Sequence, residues 1–198
     1  MRGLVNEQRR NIMREFIFKM RGGLWTLLFV IMLFMSNYPS VSQIVYGLVL
    51  ILTGQLWRIW SAGIIGLYRG ENVKALKLAH EGPYALMRNP LYFGNFMIGL
   101  GWAVIAGLNA VIVFVIAFMI LYVMVIIPHE ESFLRSKFGA EYESYCENVN
   151  RFWPVKVYIR DLFVKPDMNV IMRSEIHTVI STVVGTCIIL AVSIYKGA

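Results

Sequence analysis

Two short polar segments hold most of the side chains that could do chemistry. The first covers residues 80–94 and includes Arg88, and the second includes the adjacent acids Glu130 and Glu131, with Arg151 further along. Adjacent acids of this kind invite a partner such as Arg88 or a cationic ligand, because their charges then find an opposite partner. A sulfonium cofactor is one such ligand.

The same residues also have ordinary structural roles, which the sequence leaves open. Asn89 followed by Pro90 is a favoured helix N-cap with proline in the first turn, so it predicts the start of a helix. Arg88 is also typical of a residue that orients a membrane protein. Glu130 and Glu131 could stabilise the first turn of a new helix through its dipole.

The elements that must position these segments are apolar helices. Only 16% of the residues are charged and 58% are hydrophobic, with a mean hydropathy of +0.60, whereas about a quarter of a soluble domain is charged. Five blocks of 17 to 20 residues lack Lys, Arg, Asp and Glu: Gly22–Tyr38, Val41–Trp57, Leu91–Gly107, Leu108–Ile127 and Ile176–Tyr195. Roughly 17–25 apolar residues cross a bilayer as a helix. We therefore predict an all-α, multi-pass membrane protein with about five transmembrane helices.

Basic residues predict how the chain is oriented. Of the 19 Lys and Arg residues, 18 lie in residues 1–21, 58–88 and 128–173, and none lies in the short connections at 37–40 and 107–109. The positive-inside rule then places the N-terminus and both larger loops in the cytoplasm. The net charge of +7 is explained by this orientation, so we predict no nucleic-acid partner.

A hairpin of two apolar helices separates the two polar segments. Its turn, Gly107-Leu108-Asn109, is so short that the helices must be antiparallel, and the chain returns to the side from which it came. Residues 80–94 and the region from Pro128 to Pro154 are therefore expected to be neighbours on the cytoplasmic side. This arrangement favours a functional site there.

We assign the whole chain to one membrane domain. Residues 1–75 would form an interfacial helix and two spans, because Ile12, Phe16 and Met20 repeat every four residues among arginines. Residues 76–154 would form the core with the polar segments, and residues 155–198 an interfacial segment and a last span. That span, 176–195, could be a lid, a dimer contact or an anchor, and its small residues suit helix packing.

The ordered set of polar residues resembles the superfamily of isoprenylcysteine carboxyl methyltransferases and phospholipid methyltransferases, which are membrane enzymes. The resemblance covers residues 76–154. Asn89 resembles the phosphatidylethanolamine branch, whereas residues 138–154 look more like the isoprenylcysteine branch. The matching residues are Leu78, Gly82, Tyr84, Arg88, Pro90, Tyr92, Gly94, Glu130, Glu131, Leu134, Phe138, Gly139, Tyr142, Tyr145, Arg151 and Pro154.

The resemblance implies S-adenosylmethionine as methyl donor, bound in a pocket on the cytoplasmic side. By this resemblance the cofactor would contact Leu78, Gly82, Tyr84, Asn89, Tyr92, Glu130 and Glu131. Catalysis is assigned to Arg88, Glu130 and Arg151. A carboxylate acceptor needs only orientation, by Arg88 or Arg151, whereas an amine acceptor must lose a proton to Glu130 or Glu131.

Several functions stay open at this level. The first choice is methyl transfer to a lipidic or prenylated acceptor from the bilayer, most like the isoprenylcysteine enzymes, and a phospholipid N-methyltransferase is the alternative. Membrane sterol reductases resemble the second half of the superfamily, so a reductase with a nicotinamide cofactor is a further reading. A small transporter or scaffold is disfavoured, because the apolar blocks hold no charge.

Overall fold

The described part of the chain is built from helices. The computed structural model describes residues 16–65, 78–152 and 159–196, and these residues form no strand. Residues 16–19 are helical and precede the first long helix. In chain order the elements are α1 (Arg21–Met35), α2 (Val41–Ile65), α3 (Pro83–Leu86), α4 (Pro90–Ala106), α5 (Leu108–Phe118), a π-helical segment (Met119–Ile126), α6 (Ile127–Phe138), α7 (Ala140–Asn148), α8 (Ile159–Leu162), α9 (Met168–Ser174) and α10 (Ile176–Tyr195).

Three stretches of helix are long and apolar enough to cross a bilayer. They are α2 with 25 residues, α10 with 20, and the 31-residue run Leu108–Phe138 formed by α5, the π-helical segment and α6. The shorter apolar helices α1 and α4 have 15 and 17 residues. Large apolar side chains are exposed on the outer faces of these helices, as expected where they meet lipid. The chain is an integral membrane protein.

Glycines bring α2 and α4 into close contact. A Cβ atom built on Gly47 would lie 2.7 Å from the carbonyl oxygen of Gly101, and one on Gly54 would lie 2.9 Å from that of Gly94. Any larger residue would push the two backbones apart. Small residues at such contacts are typical of membrane helix pairs, because close approach increases van der Waals packing.

The predicted hairpin is confirmed. Gly107 alone separates α4 from α5, with a φ of 118° that favours glycine. The carbonyl oxygen of Ala106 accepts a hydrogen bond from the backbone N–H of Asn37 at 3.1 Å. This bond joins the turn of the hairpin to the connection between α1 and α2, so both loops lie on the same side of the bundle.

The helix that follows the hairpin turn is longer than the sequence suggested. We expected a span ending at Ile127 and a new helix carrying Glu130 and Glu131, but the chain stays helical through Pro128 to Phe138. A proline inside a helix lacks an N–H group and crowds the preceding turn. The wider π-helical turns that end just before it relieve this crowding. The acids therefore have no free helix N-terminus to stabilise them.

The last helix, α10, is bound to the bundle along its whole length. Thr182 donates a hydrogen bond to the Gln55 side chain at 2.8 Å, and the Trp102 indole donates to Thr186 at 3.0 Å. At its far end Lys196 donates to the carbonyl oxygens of Leu33 and Phe34. These contacts make α10 a wall of the bundle.

Part of the predicted interfacial helix, including Ile12, lies outside the described residues, and so does Pro154 of the methyltransferase pattern. Within the described part, Phe16 and Met20 are exposed. Phe18 between them is buried, with its ring 5.5 Å from that of His129. The residues before α1 therefore pack against α6 on one side only.

Candidate active site

A cavity of about 740 Å³ runs through the bundle between α1, α4, α10 and the two polar segments. Its volume lies within the range of roughly 300–1,000 Å³ found for small-molecule sites. At one end its wall is polar and includes Tyr84, Arg88 and Asn89. At the other end it is mainly apolar and aromatic and includes Trp25 and Trp102. The cavity therefore joins two different chemical environments.

Glu131 organises the polar end from behind. Its carboxylate accepts a hydrogen bond from the Asn89 side chain at 3.1 Å and two from Arg151, at 3.2 and 2.5 Å. The Arg88 Nε atom lies 3.3 Å from the same carboxylate. Glu131 is buried and does not line the cavity. It fixes Arg88 and Asn89, which do line it.

Asn89 occupies the N-cap position of α4, as predicted, but does not cap it. The helix begins at Pro90, and the Asn89 side chain makes no capping hydrogen bond. The amide turns instead toward Glu131. The buried carboxylate of Glu131 thereby gains a donor, which a buried charge requires.

Glu130, the neighbouring acid, faces the cavity. Its carboxylate accepts a hydrogen bond of 2.6 Å from the Tyr92 hydroxyl. The Tyr92 ring lies 5.6 Å from that of Tyr122, which lines the cavity as well. Glu130 is thus held where the polar and the aromatic parts of the cavity meet.

The short helix α7 forms the floor of the polar end. The Tyr145 hydroxyl donates to the carbonyl oxygen of Tyr84 at 2.7 Å. Just after α7, the carbonyl oxygen of Asn150 accepts a hydrogen bond of 3.0 Å from the backbone N–H of Arg88. Burial raises the pKa of Tyr145 and of Tyr142, so both phenols stay neutral at physiological pH. The hydrogen bond to Glu131 raises the pKa of Arg151.

The expected site residues divide into two groups. Six line the cavity: Leu78, Tyr84, Arg88, Asn89, Tyr92 and Glu130. Gly82, Glu131 and Arg151 lie outside the wall. Gly82 has a φ of 60° and donates its N–H to Asp161 at 2.7 Å, so it shapes the turn before α3. Arg151 is turned toward Glu131.

Sequence reasoning missed a second ionic cluster in the cavity wall. We counted Arg58 as a loop residue after an apolar block ending at Trp57, but α2 continues to Ile65 and Arg58 is buried inside it. Its guanidinium binds both carboxylate oxygens of Glu175, at 3.1 and 3.2 Å. It also donates to Asn95 and, at 3.4 Å, to Thr178.

A signal for this cluster exists in the sequence. Apolar residues continue past Arg58 through Ile59 and Trp60 to Ile65, so the helix had no reason to end. Glu175 immediately precedes the last apolar block. A cation buried in a membrane bundle needs a buried anion as its partner. Arg58 and Glu175 are candidates for such a pair, because each lies directly beside an apolar block.

Aromatic rings form the wall of the other end. The rings of Phe29 and Trp102 lie 4.8 Å apart, and those of Trp25 and Tyr122 lie 5.9 Å apart at nearly right angles. Such edge-to-face contacts hold the rings in place. This part of the cavity suits an apolar or lipidic molecule.

Comparison with known proteins gives a family. The nickel-cobalt-cadmium resistance protein NccN of Alcaligenes xylosoxydans xylosoxydans is 25% identical over 151 residues, which cover 71% of this chain and 67% of NccN. No solved structure matches the chain significantly. Residues 42–141, about half of the chain, match the pattern of the phospholipid methyltransferase family. The chain belongs to the phospholipid methyltransferase family.

Proposed function

We propose that the protein is a membrane methyltransferase that moves a methyl group from S-adenosylmethionine to an acceptor held in the bilayer. The observation that carries the proposal is the cavity itself, in which Arg88 and Glu130 line one part and Trp25 and Trp102 another. A water-soluble methyl donor and an apolar acceptor can meet only where two such environments join. We further propose five transmembrane helices, with α1 and α4 as the two short spans, and the polar end on the cytoplasmic side.

The residues of the polar end fit S-adenosylmethionine. Arg88 offers a guanidinium to the carboxylate of the amino-acid tail, and Glu130 offers negative charge to the sulfonium. The cavity volume of about 740 Å³ leaves room for an acceptor beside the cofactor. Glu131 and Arg151 would serve this site as positioning residues, because they hold Arg88 and Asn89 in place.

When bound, S-adenosylmethionine supplies an electrophilic methyl group on a positively charged sulfur. The chain then has to align the acceptor and exclude water, because methyl transfer is an in-line displacement. The aromatic rings around Trp25 and Trp102 keep the acceptor end dry. Glu130 lies at the junction, where a proton leaving the acceptor would be released.

We propose a lipid amine as the acceptor. Glu130 would first take a proton from the lipid ammonium, and the freed lone pair would then form the new C–N bond as the C–S bond breaks and S-adenosylhomocysteine leaves. Glu131 is unsuited to this role because three side chains already donate to it or pair with it. Arg151, expected to orient a carboxylate acceptor, binds Glu131 behind the wall. A prenylcysteine carboxylate is the alternative acceptor, and Arg88 would orient it.

The test uses purified protein in nanodiscs that contain phosphatidylethanolamine, with methyl-labelled S-adenosylmethionine. We expect label in the lipid fraction, and a loss of most of this transfer in Glu130→Gln, with Glu143→Gln on the exposed face of α7 as the matched control. Label that base releases from an added prenylcysteine, and not from lipid, would instead identify the carboxylate acceptor. Absence of label in both acceptors contradicts the proposal.

A further inference from the structure

The cavity reaches the outer surface of the bundle between α1 and α10. Gly22 and Thr26 of α1 line it and are exposed, and so are Ser181, Val184 and Ile188 of α10. Residues three and four positions apart lie on one face of a helix, so each set forms a stripe. We call the gap between these two stripes the α1–α10 portal.

The portal has room for a chain. A Cβ atom built on Gly22 would meet no other atom within 4 Å. The Thr26 hydroxyl donates to the carbonyl oxygen of Gly22, one turn earlier in the same helix, so it is already satisfied without a ligand. Further along, Val184 and Ile188 are apolar and exposed. An acyl or prenyl chain could therefore lie along this gap.

Arg21 stands at the polar end of the portal, at the first residue of α1. Arg21 lines the cavity, and its guanidinium donates to the carbonyl oxygen of Phe18 at 3.0 Å and lies 4.2 Å above the Phe18 ring. No carboxylate among the described residues pairs with it. A guanidinium has five N–H donors, so most of them are available to a ligand.

The other arginines of the cavity wall differ from Arg21 in this respect. Arg58 is paired with Glu175, and Arg88 with Glu131. The Phe18 carbonyl and ring stabilise the Arg21 guanidinium without neutralising its charge, and an anion would add the opposite charge. The charge of Arg21 is therefore complementary to a negatively charged group that comes from outside the described chain.

We propose that Arg21 binds the acidic group of the methyl acceptor, an amphiphile whose apolar chain lies in the α1–α10 portal. The inference rests on the proposed methyltransferase function and adds the acceptor's recognition. Carboxylate and phosphate groups both accept the paired hydrogen bonds of a guanidinium, so either acid fits. Arg21 and α10 lie outside residues 42–141, which match the family.

The first experiment compares wild type with Arg21→Gln and Arg21→Lys in nanodiscs. Dodecyl phosphate, dodecanoate and dodecyltrimethylammonium are added as competitors of methyl transfer, because they share a chain length and differ in head-group charge. We expect the better of the two anions to inhibit wild type at concentrations about tenfold or more below those of the cation, as for a hydrogen-bonded ion pair. Arg21→Gln should lose this preference, and Arg21→Lys should keep part of it.

The two anions identify the acid, since the stronger competitor shows whether the site takes phosphate or carboxylate. Binding of S-adenosylmethionine, measured by calorimetry, separates the two proposals. Wild type that fails to bind it refutes the proposed function. An Arg21→Gln variant that binds the cofactor and keeps the anion preference overturns the role of Arg21. Loss of cofactor binding in Arg21→Gln overturns this role as well, because Arg21 would then serve the cofactor site and not the recognition of the acceptor.

The second experiment blocks the portal. Ser181→Trp places a large ring in the gap, whereas Val183→Trp places the same ring on an exposed part of α10 that does not line the cavity. We expect Ser181→Trp to raise the KM for the acceptor at least tenfold without a change in cofactor affinity, and Val183→Trp to change neither. Equal KM values for the two variants would contradict the portal.

Discussion

Two ionic clusters flank the same cavity, and each is organised by one buried glutamate. Glu131 holds Arg88 and Arg151 at the polar end, and Glu175 holds Arg58 inside the helix bundle. The first cluster has two guanidiniums for one carboxylate and is open at its edge, where the Arg151 side chain is 37% exposed. In the second, the Arg58 guanidinium binds the Glu175 carboxylate, and their side chains are 7% and 1% exposed.

This difference gives the two clusters different roles, ligand binding for the first and packing of the helices for the second. The excess positive charge of the first cluster lets Arg88 attract an anionic part of a ligand while Glu131 keeps it in place. The Arg58–Glu175 pair of the second cluster is buried, and it joins α2 to α10. Buried charges within a membrane often mark a transport pathway. Here the pairing with Glu175 explains why Arg58 is buried, and no transport pathway is needed to explain it.

The largest expected effect comes from breaking the bundle cluster. Glu175→Ala leaves the Arg58 guanidinium buried without its acid, and the loss of one partner from a buried pair costs about 3–5 kcal/mol. We expect a clear fall in the unfolding temperature in detergent, measured by circular dichroism. Replacing both charges, with Arg58→Met and Glu175→Leu, should restore much of the stability. If the single and the double variants were equally stable, the cluster would have no role in assembly.

The next effect tests the polar cluster. Glu131→Gln removes the charge that orients Arg88, Asn89 and Arg151, and lost hydrogen bonds to a charged group are worth roughly 1.5–3 kcal/mol. We expect cofactor affinity to fall roughly 10- to 100-fold, with a smaller change in stability than in Glu175→Ala. Calorimetry measures the affinity. If Glu131→Gln lowered the unfolding temperature strongly and left the cofactor affinity unchanged, the polar cluster would serve stability and not binding.

A smaller effect is expected from Tyr92→Phe, which touches neither cluster. The variant keeps the ring contact with Tyr122 and loses the 2.6 Å hydrogen bond to Glu130. We expect methyl transfer to slow about tenfold or more, because Glu130 loses a donor that helps to orient it, while the unfolding temperature stays the same. An unchanged rate would show that Glu130 needs no orientation by Tyr92.

The smallest effect is expected at the surface. Arg135 and Glu143 form an ion pair between α6 and α7, but both side chains are more than half exposed. Water and salt weaken such a pair. Arg135→Ala should therefore leave both the unfolding temperature and methyl transfer within experimental error. A large loss would mean that the link between α6 and α7 matters more than the buried clusters suggest.

The sequence predicted the helices well wherever apolar residues met a clear boundary. The block Ile176–Tyr195 coincides with α10, and Gly107 marks the turn of the hairpin. The predicted helix boundaries were wrong where we took a charged residue as the end of a helix. Arg58 did not end α2, because a partner on another helix neutralises it. Periodicity and composition describe one helix at a time and cannot reveal such a partner.

The site was predictable to the extent that its residues lie close to the hairpin in sequence. The closeness of Glu131 to Arg88 and Asn89 follows from the return of the chain to one face, although the contact with Asn89 replaced the capping role that we expected. The orientation of the two adjacent acids did not follow, because it depends on the continuous helix through Pro128. The contribution of α10 to the cavity could not be predicted either. Its packing depends on contacts with residues more than 80 positions away, such as Trp102.

The most direct measurement of the central claim is the binding of S-adenosylmethionine to the purified protein in nanodiscs by calorimetry. We expect one site per chain, strongly weakened in Glu131→Gln and retained in Arg135→Ala. This pattern would tie binding to the polar cluster rather than to surface charge. If wild type bound no S-adenosylmethionine, or if both variants bound it as tightly as wild type, the assignment of the polar end as the cofactor site would be wrong.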